Sequence, residues 1–88
     1  KMITKEFDYT ADRFDAEIPQ QMATLRWSVL EEDGCYHTHS LRMHHDGFNA
    51  AERKALEVMR SAYPDAELSV RRVFHNGRFY SSFLVDAK

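Results

Sequence analysis

A single stretch of this chain repeats its apolar residues at helical spacing. Ala51, Ala55, Leu56, Met59, Ala62 and Tyr63 fall on one stripe, with Arg53, Lys54, Glu57 and Arg60 mostly opposite and Arg53–Glu57 as an i,i+4 pair. Asn49 is placed to cap the start, and Glu52 three residues on completes a capping box. Pro64 ends the helix, because the residue before a proline avoids helical geometry. The spacing predicts a helix over residues 49–63. One amphipathic helix must lay its stripe on a sheet.

The strands that would supply that sheet are punctuated by turns. Asn76-Gly77 is a strong hairpin signal, since a type I′ turn needs φ > 0 at both central residues. Folding 67–75 onto 78–86 about it pairs Phe74 with Phe79, Val70 with Phe83 and Leu68 with Val85, all on one face. For the first hairpin, a two-residue turn at Asp33-Gly34 would split the apolar residues between faces. A three-residue loop, Glu32-Asp33-Gly34, with Gly34 left-handed, brings Leu25, Trp27, Val29, Leu41 and Met43 together. Ile3, Phe7 and Tyr9 alternate like a strand, read as an edge strand over residues 2–9, followed by an irregular or briefly helical 11–18. The fold class is α+β: an antiparallel sheet from two β-hairpins with one amphipathic helix on one face, a ββαββ core plus an N-terminal edge strand.

Eighty-eight residues allow one domain, 1–88, and one core. Met2, after Lys1, reads as the native start. Cys35 is the only cysteine, so no intramolecular disulfide forms, and a reducing, cytoplasmic setting is expected. No run approaches a membrane span, and no signal-peptide pattern opens the chain. The net charge of −2 argues against a surface devoted wholly to nucleic acid.

Three constellations bear on function. Cys35, His37 and His39 share a strand face at i, i+2, i+4, a chelating geometry with no fourth ligand in reach; a structural or titrating role outweighs metal binding, and no cofactor is expected. A Cys35–His37 nucleophile is disfavoured, because neighbours along a strand rarely give in-line access. The chain carries no Gly-x-Ser-x-Gly and no phosphate-cradling loop, so no enzyme activity is expected.

The outward faces of the two hairpins say more. The registers above put Arg26, Tyr36, Arg42, Arg71, Arg78 and Tyr80 there, with His44, His75, Leu30, Val73 and Leu84 and no carboxylate. An N-terminal strand joining this face would add Glu6 and Asp8 and weaken its basic character. Arginine and tyrosine are favoured at binding hot spots, and arginine pairs with carboxylates and phosphates. The expected function is therefore a small non-enzymatic interaction module that binds an anionic partner, an acidic protein surface first, in the manner of a regulatory or inhibitory accessory protein. Two alternatives stand beside it. One is a nucleic-acid binder that stacks bases on Tyr36 and Tyr80; the other is a metal- or pH-responsive protein built on Cys35, His37 and His39.

Overall fold

Among the described residues, alternation along the chain becomes five strands and one helix: β1 (Ile3–Ala11), β2 (Met22–Leu30), β3 (Tyr36–His44), α1 (Phe48–Ala62), β4 (Leu68–Asn76) and β5 (Tyr80–Ala87). The computed structural model describes residues 2–13, 20–77 and 79–88; the expected irregular segment lies largely outside them. The strands form one antiparallel sheet in the order β3-β2-β1-β5-β4, with α1 packed on one face of its β1–β5–β4 part. This is the α+β architecture the pattern implies, with one correction. The N-terminal strand is central, not an edge. β1 pairs on one side with β2 and on the other with β5, from Ile3↔Ala87 to Thr10↔Tyr80.

The first hairpin folds as its glycine demands. Gly34 adopts φ +80° and its N–H donates to the Glu31 carbonyl at 3.0 Å, while the Glu31 N–H donates to the Cys35 carbonyl at 3.0 Å. Leu25 then faces Leu41, Trp27 faces His39 and Val29 faces His37. The side-chain register follows because all the apolar residues must share the inner face.

The second hairpin turns at Asn76-Gly77, but in a different register. Asn76 pairs with Tyr80 around a three-residue loop, and a β-bulge between Arg72 and Phe74 shifts the strand. Val70 faces Val85 and Leu68 faces Ala87, whereas the expected Phe74–Phe79 pair does not form. Phe74 and Phe79 are 52% and 42% exposed. The cause is β1. Its pairing with β5 sets Phe83 opposite Phe7 on the inner face, and the bulge lets β4 match that setting at the cost of turning Phe74 outward. The Ser81 hydroxyl donates to the Phe74 carbonyl at 3.3 Å and steadies the bulge.

The helix begins at Phe48, not at Asn49. Gly47 stands at the N-cap with φ +92° and ψ 170°, a conformation reserved for glycine, and no side chain caps the helix. Starting one residue early adds the half-buried Phe48 to the apolar stripe, where it packs edge-on against Tyr9 and His75. Glu52 is thereby released from capping and bonds Arg72 on β4. Lys54 rather than Arg53 pairs with Glu57. At the other end the Arg60 guanidinium donates to the carbonyls of Pro64 and Ala66 at 3.0 and 2.7 Å.

The core is small residues on aromatics. Ala51, Ala55 and Met59 of α1 lie over Phe7, Tyr9, Leu25, Phe83 and Val85, all fully buried. The Tyr9 hydroxyl bonds His45 Nδ1 at 2.9 Å, and burial, with Asp46 nearby, pushes its pKa up to about 12. No helix among the described residues is long and apolar enough to cross a membrane.

Candidate functional site

The face of the sheet away from α1 is uncovered by any described element and carries the residues of interest. Even-numbered residues of β1, β2, β3 and β5 point to it, because side chains alternate along a strand. That parity brings Glu6 and Asp8 of β1 and Asp86 of β5 onto the face. The expectation of a face without carboxylates is therefore wrong: β1 joins the face and adds Glu6 and Asp8, as foreseen for that case, and Asp86 shares the parity of Ser82 and Leu84 on β5.

Most of the charges on this face neutralise one another. Arg71 grips Asp86 through two nitrogens at 2.7 and 3.0 Å, and the Thr4 hydroxyl donates to the same carboxylate at 2.7 Å. Asp86 is almost wholly buried, and the Arg71 and Thr4 hydrogen bonds hold its carboxyl down at about 2. Arg42 grips Asp12 through two nitrogens at 3.2 and 2.9 Å and lowers that carboxyl too. The Tyr80 hydroxyl donates to Asp8 at 3.0 Å; burial and that bond push the phenol up. The Ser82 hydroxyl donates to Glu6 at 3.4 Å.

Among the described arginines of this face, Arg26 is the exception. It lies directly opposite Asp8 in the β1–β2 ladder, yet Asp8 turns to Tyr80. Arg26 is exposed and holds no carboxylate among the described residues. Around it, β2 and β3 contain no acid at all. The acid-free reading survives for this half of the face and fails for the β4–β5 half.

A cleft of about 640 Å³ opens beside Arg26. β1 and β2 pair only as far as Phe7↔Trp27; beyond that point β1 stays with β5 and β2 stays with β3. The strands part, and the Lys5 ammonium donates to the Ser28 carbonyl at 3.2 Å across the opening. The mouth is lined by Thr4, Glu6, Arg26, Ser28, Leu30 and Tyr36, with Tyr36 73% exposed.

Of the six expected contact residues, the fold brings Arg26 and Tyr36 together at this cleft. Arg42 lies at the far end of β3, already paired. Tyr80 sits mid-sheet on Asp8, and Arg71 is on β4, three strand spacings or about 14 Å from β2. Arg78 lies outside the described residues. Lys5 and the cleft itself had no local signal in the sequence, because they depend on which strand stands beside β2.

At the β2–β3 turn, His37 bonds Asp33 at 2.8 Å and His39 bonds Glu31 at 2.7 Å, while Cys35 is exposed. The Cys35 N–H, then His37, lower the Asp33 carboxyl; the His39 bond does the same for Glu31. Each imidazole is thus taken by its own carboxylate. Among the described residues no three of His, Cys, Asp and Glu converge as a metal site.

Comparisons with protein-family models, with curated proteins and with solved structures find no match for this chain.

Proposed function

We propose that the chain is a non-enzymatic docking module that takes an acidic segment of a protein partner on the β2–β3 half of its open face. Arg26 is the charge anchor and Tyr36 the aromatic contact. The observation that carries this reading is the state of Arg26: exposed, at the mouth of a cleft, and without a carboxylate although one stands opposite it in the ladder. A guanidinium in that state offers a planar fork to a partner carboxylate at little cost in broken bonds. Arg42 and Arg71 would each have to abandon a two-point ion pair first. Leu30 and Tyr36 add apolar contact at the rim. A domain of this kind acts by occupying or bridging its partner, the mode of a regulatory or inhibitory accessory protein. Glu6 and Asp8 line the same opening and repel any anion on the β1 side, so the partner's acidic group approaches Arg26 from the β2–β3 side, and the nuclease arm of the test separates a protein carboxylate from a phosphate backbone.

The test is capture of partners on the immobilised chain, with and without nuclease, comparing Arg26→Glu with Arg53→Glu on the helix. Arg26→Glu is expected to weaken capture at least tenfold, roughly the loss of one charge-assisted contact with repulsion added. Arg53→Glu is expected to leave it unchanged. Capture abolished by nuclease, or insensitive to Arg26→Glu, overturns the proposal.

A further inference from the structure

Among the described residues the sheet has two edges, and the sequence protects only one. β4 carries a bulge between Arg72 and Phe74 and two adjacent arginines, devices that stop an edge from pairing with another chain. β3 carries no such device. Its nine residues pair with β2 in an unbroken register, and they include no proline, no lysine and no carboxylate. A long, regular edge whose one permanent charge, Arg42, is already paired with Asp12 is a template for strand pairing.

The hairpin bonds fix which backbone groups are available. The Glu31 N–H to Cys35 carbonyl bond, and the His45 N–H to Gln21 carbonyl bond at the other end, put the odd-numbered residues of β3 in bonds to β2. Tyr36, Thr38, Ser40, Arg42 and His44 therefore turn their N–H and C=O groups outward. These five positions are symmetric about Ser40.

We propose that β3 is a self-association edge, on which a second copy of this chain pairs antiparallel through its own β3, with the two-fold axis at Ser40. That register bonds Tyr36 to His44 of the second copy, Thr38 to its Arg42, and Ser40 to its Ser40, and the same bonds repeat in reverse. The odd residues place His37 beside Met43 and His39 beside Leu41. No pair sets like charges face to face at neutral pH, and Arg42 enters already neutralised by Asp12. A second copy is the occupant this pattern fits, because an isologous interface requires such self-complementarity. The product is a ten-stranded sheet with two Arg26 clefts on one continuous face, so a partner with two acidic segments would be held bivalently. The inference does not depend on the acidic-partner reading, and its test uses the purified chain alone.

One strand pair is a small interface, so association in the micromolar range or weaker is expected, and sedimentation velocity from about 1 to about 500 μM spans it. Ser40→Lys sets two ammonium groups across the axis, and Ser40→Pro removes an outward N–H while sparing the bonds to β2. Both are expected to weaken dimerisation at least tenfold with the circular dichroism spectrum unchanged. Val73→Lys on β4 is expected to leave it as in the parent. If Ser40→Pro fails to fold, Ser40→Lys decides. A parent chain that stays monomeric throughout the range, or a dimer that survives Ser40→Lys, refutes the proposal; so does loss of the dimer in Val73→Lys alone.

Discussion

Three phenylalanines in the second hairpin test the register directly. Phe83 is fully buried and its ring stacks on Phe7, centroids 5.8 Å apart and planes 11° from parallel. A buried aromatic removes on the order of 200 Å² from water. At about 25 cal/mol per Å², and allowing for the Cβ that alanine keeps, Phe83→Ala loses about 4 kcal/mol. This sits within the range of about 3–5 kcal/mol for large-to-small core substitutions. Phe74 and Phe79 already have roughly half their surface in water. The same arithmetic, an upper bound for a compact unfolded chain, gives about 2 kcal/mol at most for either alanine variant. A two-residue turn would instead have placed all three rings on the inner face at similar cost.

Urea unfolding followed by tryptophan fluorescence separates the two registers, since Trp27 packs against Phe7 at 5.5 Å. With a slope of about 1–2 kcal/mol per molar, Phe83→Ala is expected to lower the midpoint by about 2–4 M, and the other two by half as much or less. A domain of this length has a total stability of about 4–13 kcal/mol, so Phe83→Ala can fall below the threshold for folding. Phe83→Leu, at about 1–2 kcal/mol, then carries the comparison. Equal losses for Phe74→Ala and Phe83→Ala would falsify the bulged register and with it the placement of every side chain on the β4–β5 half.

Two further outcomes follow from the geometry. The Asp86 carboxyl lies at about 2 in the folded chain against 3.8 ordinarily, so its stabilising effect is complete above about pH 4 and is lost as pH falls through about 2; acid titration of Asp86→Asn is expected to show a shallower stability loss between those values than the parent, and parallel curves would refute the assignment. Gly47→Ala is expected to destabilise by about 1–3 kcal/mol in thermal unfolding, because φ +92° with ψ 170° excludes a Cβ although no atom lies within 4 Å of its position; an unchanged midpoint would mean the helix can start elsewhere.

What was legible in the sequence was what neighbours in the chain decide, and the candidate site shows where that stops. Gly34 and the alternation on either side of it fix the first hairpin, because a loop of three residues and a shared apolar face leave one register. The helix stripe was equally local; only its start moved, since burying Phe48 outweighed a side-chain cap at Asn49. The β4–β5 register was misread because it answers to β1, which is more than 70 residues away at the Phe7↔Phe83 pair. No turn residue near Asn76 encodes that contact. The same distant pairing made β1 central and drew Glu6, Asp8 and Asp86 down the middle of the open face. Residue content alone suggested a surface of interchangeable arginines. Assembly of the sheet sorts them: the β4–β5 register sets Asp86 beside Arg71, the end of β1 brings Asp12 to Arg42, Asp8 turns to Tyr80, and Arg26 is left beside a cleft that exists because β1 and β2 part above Phe7. The choice of Arg26 as the proposed anchor therefore rests on the assembled sheet, and the acid-free strands β2 and β3 are the part of the surface reading that strand order preserves.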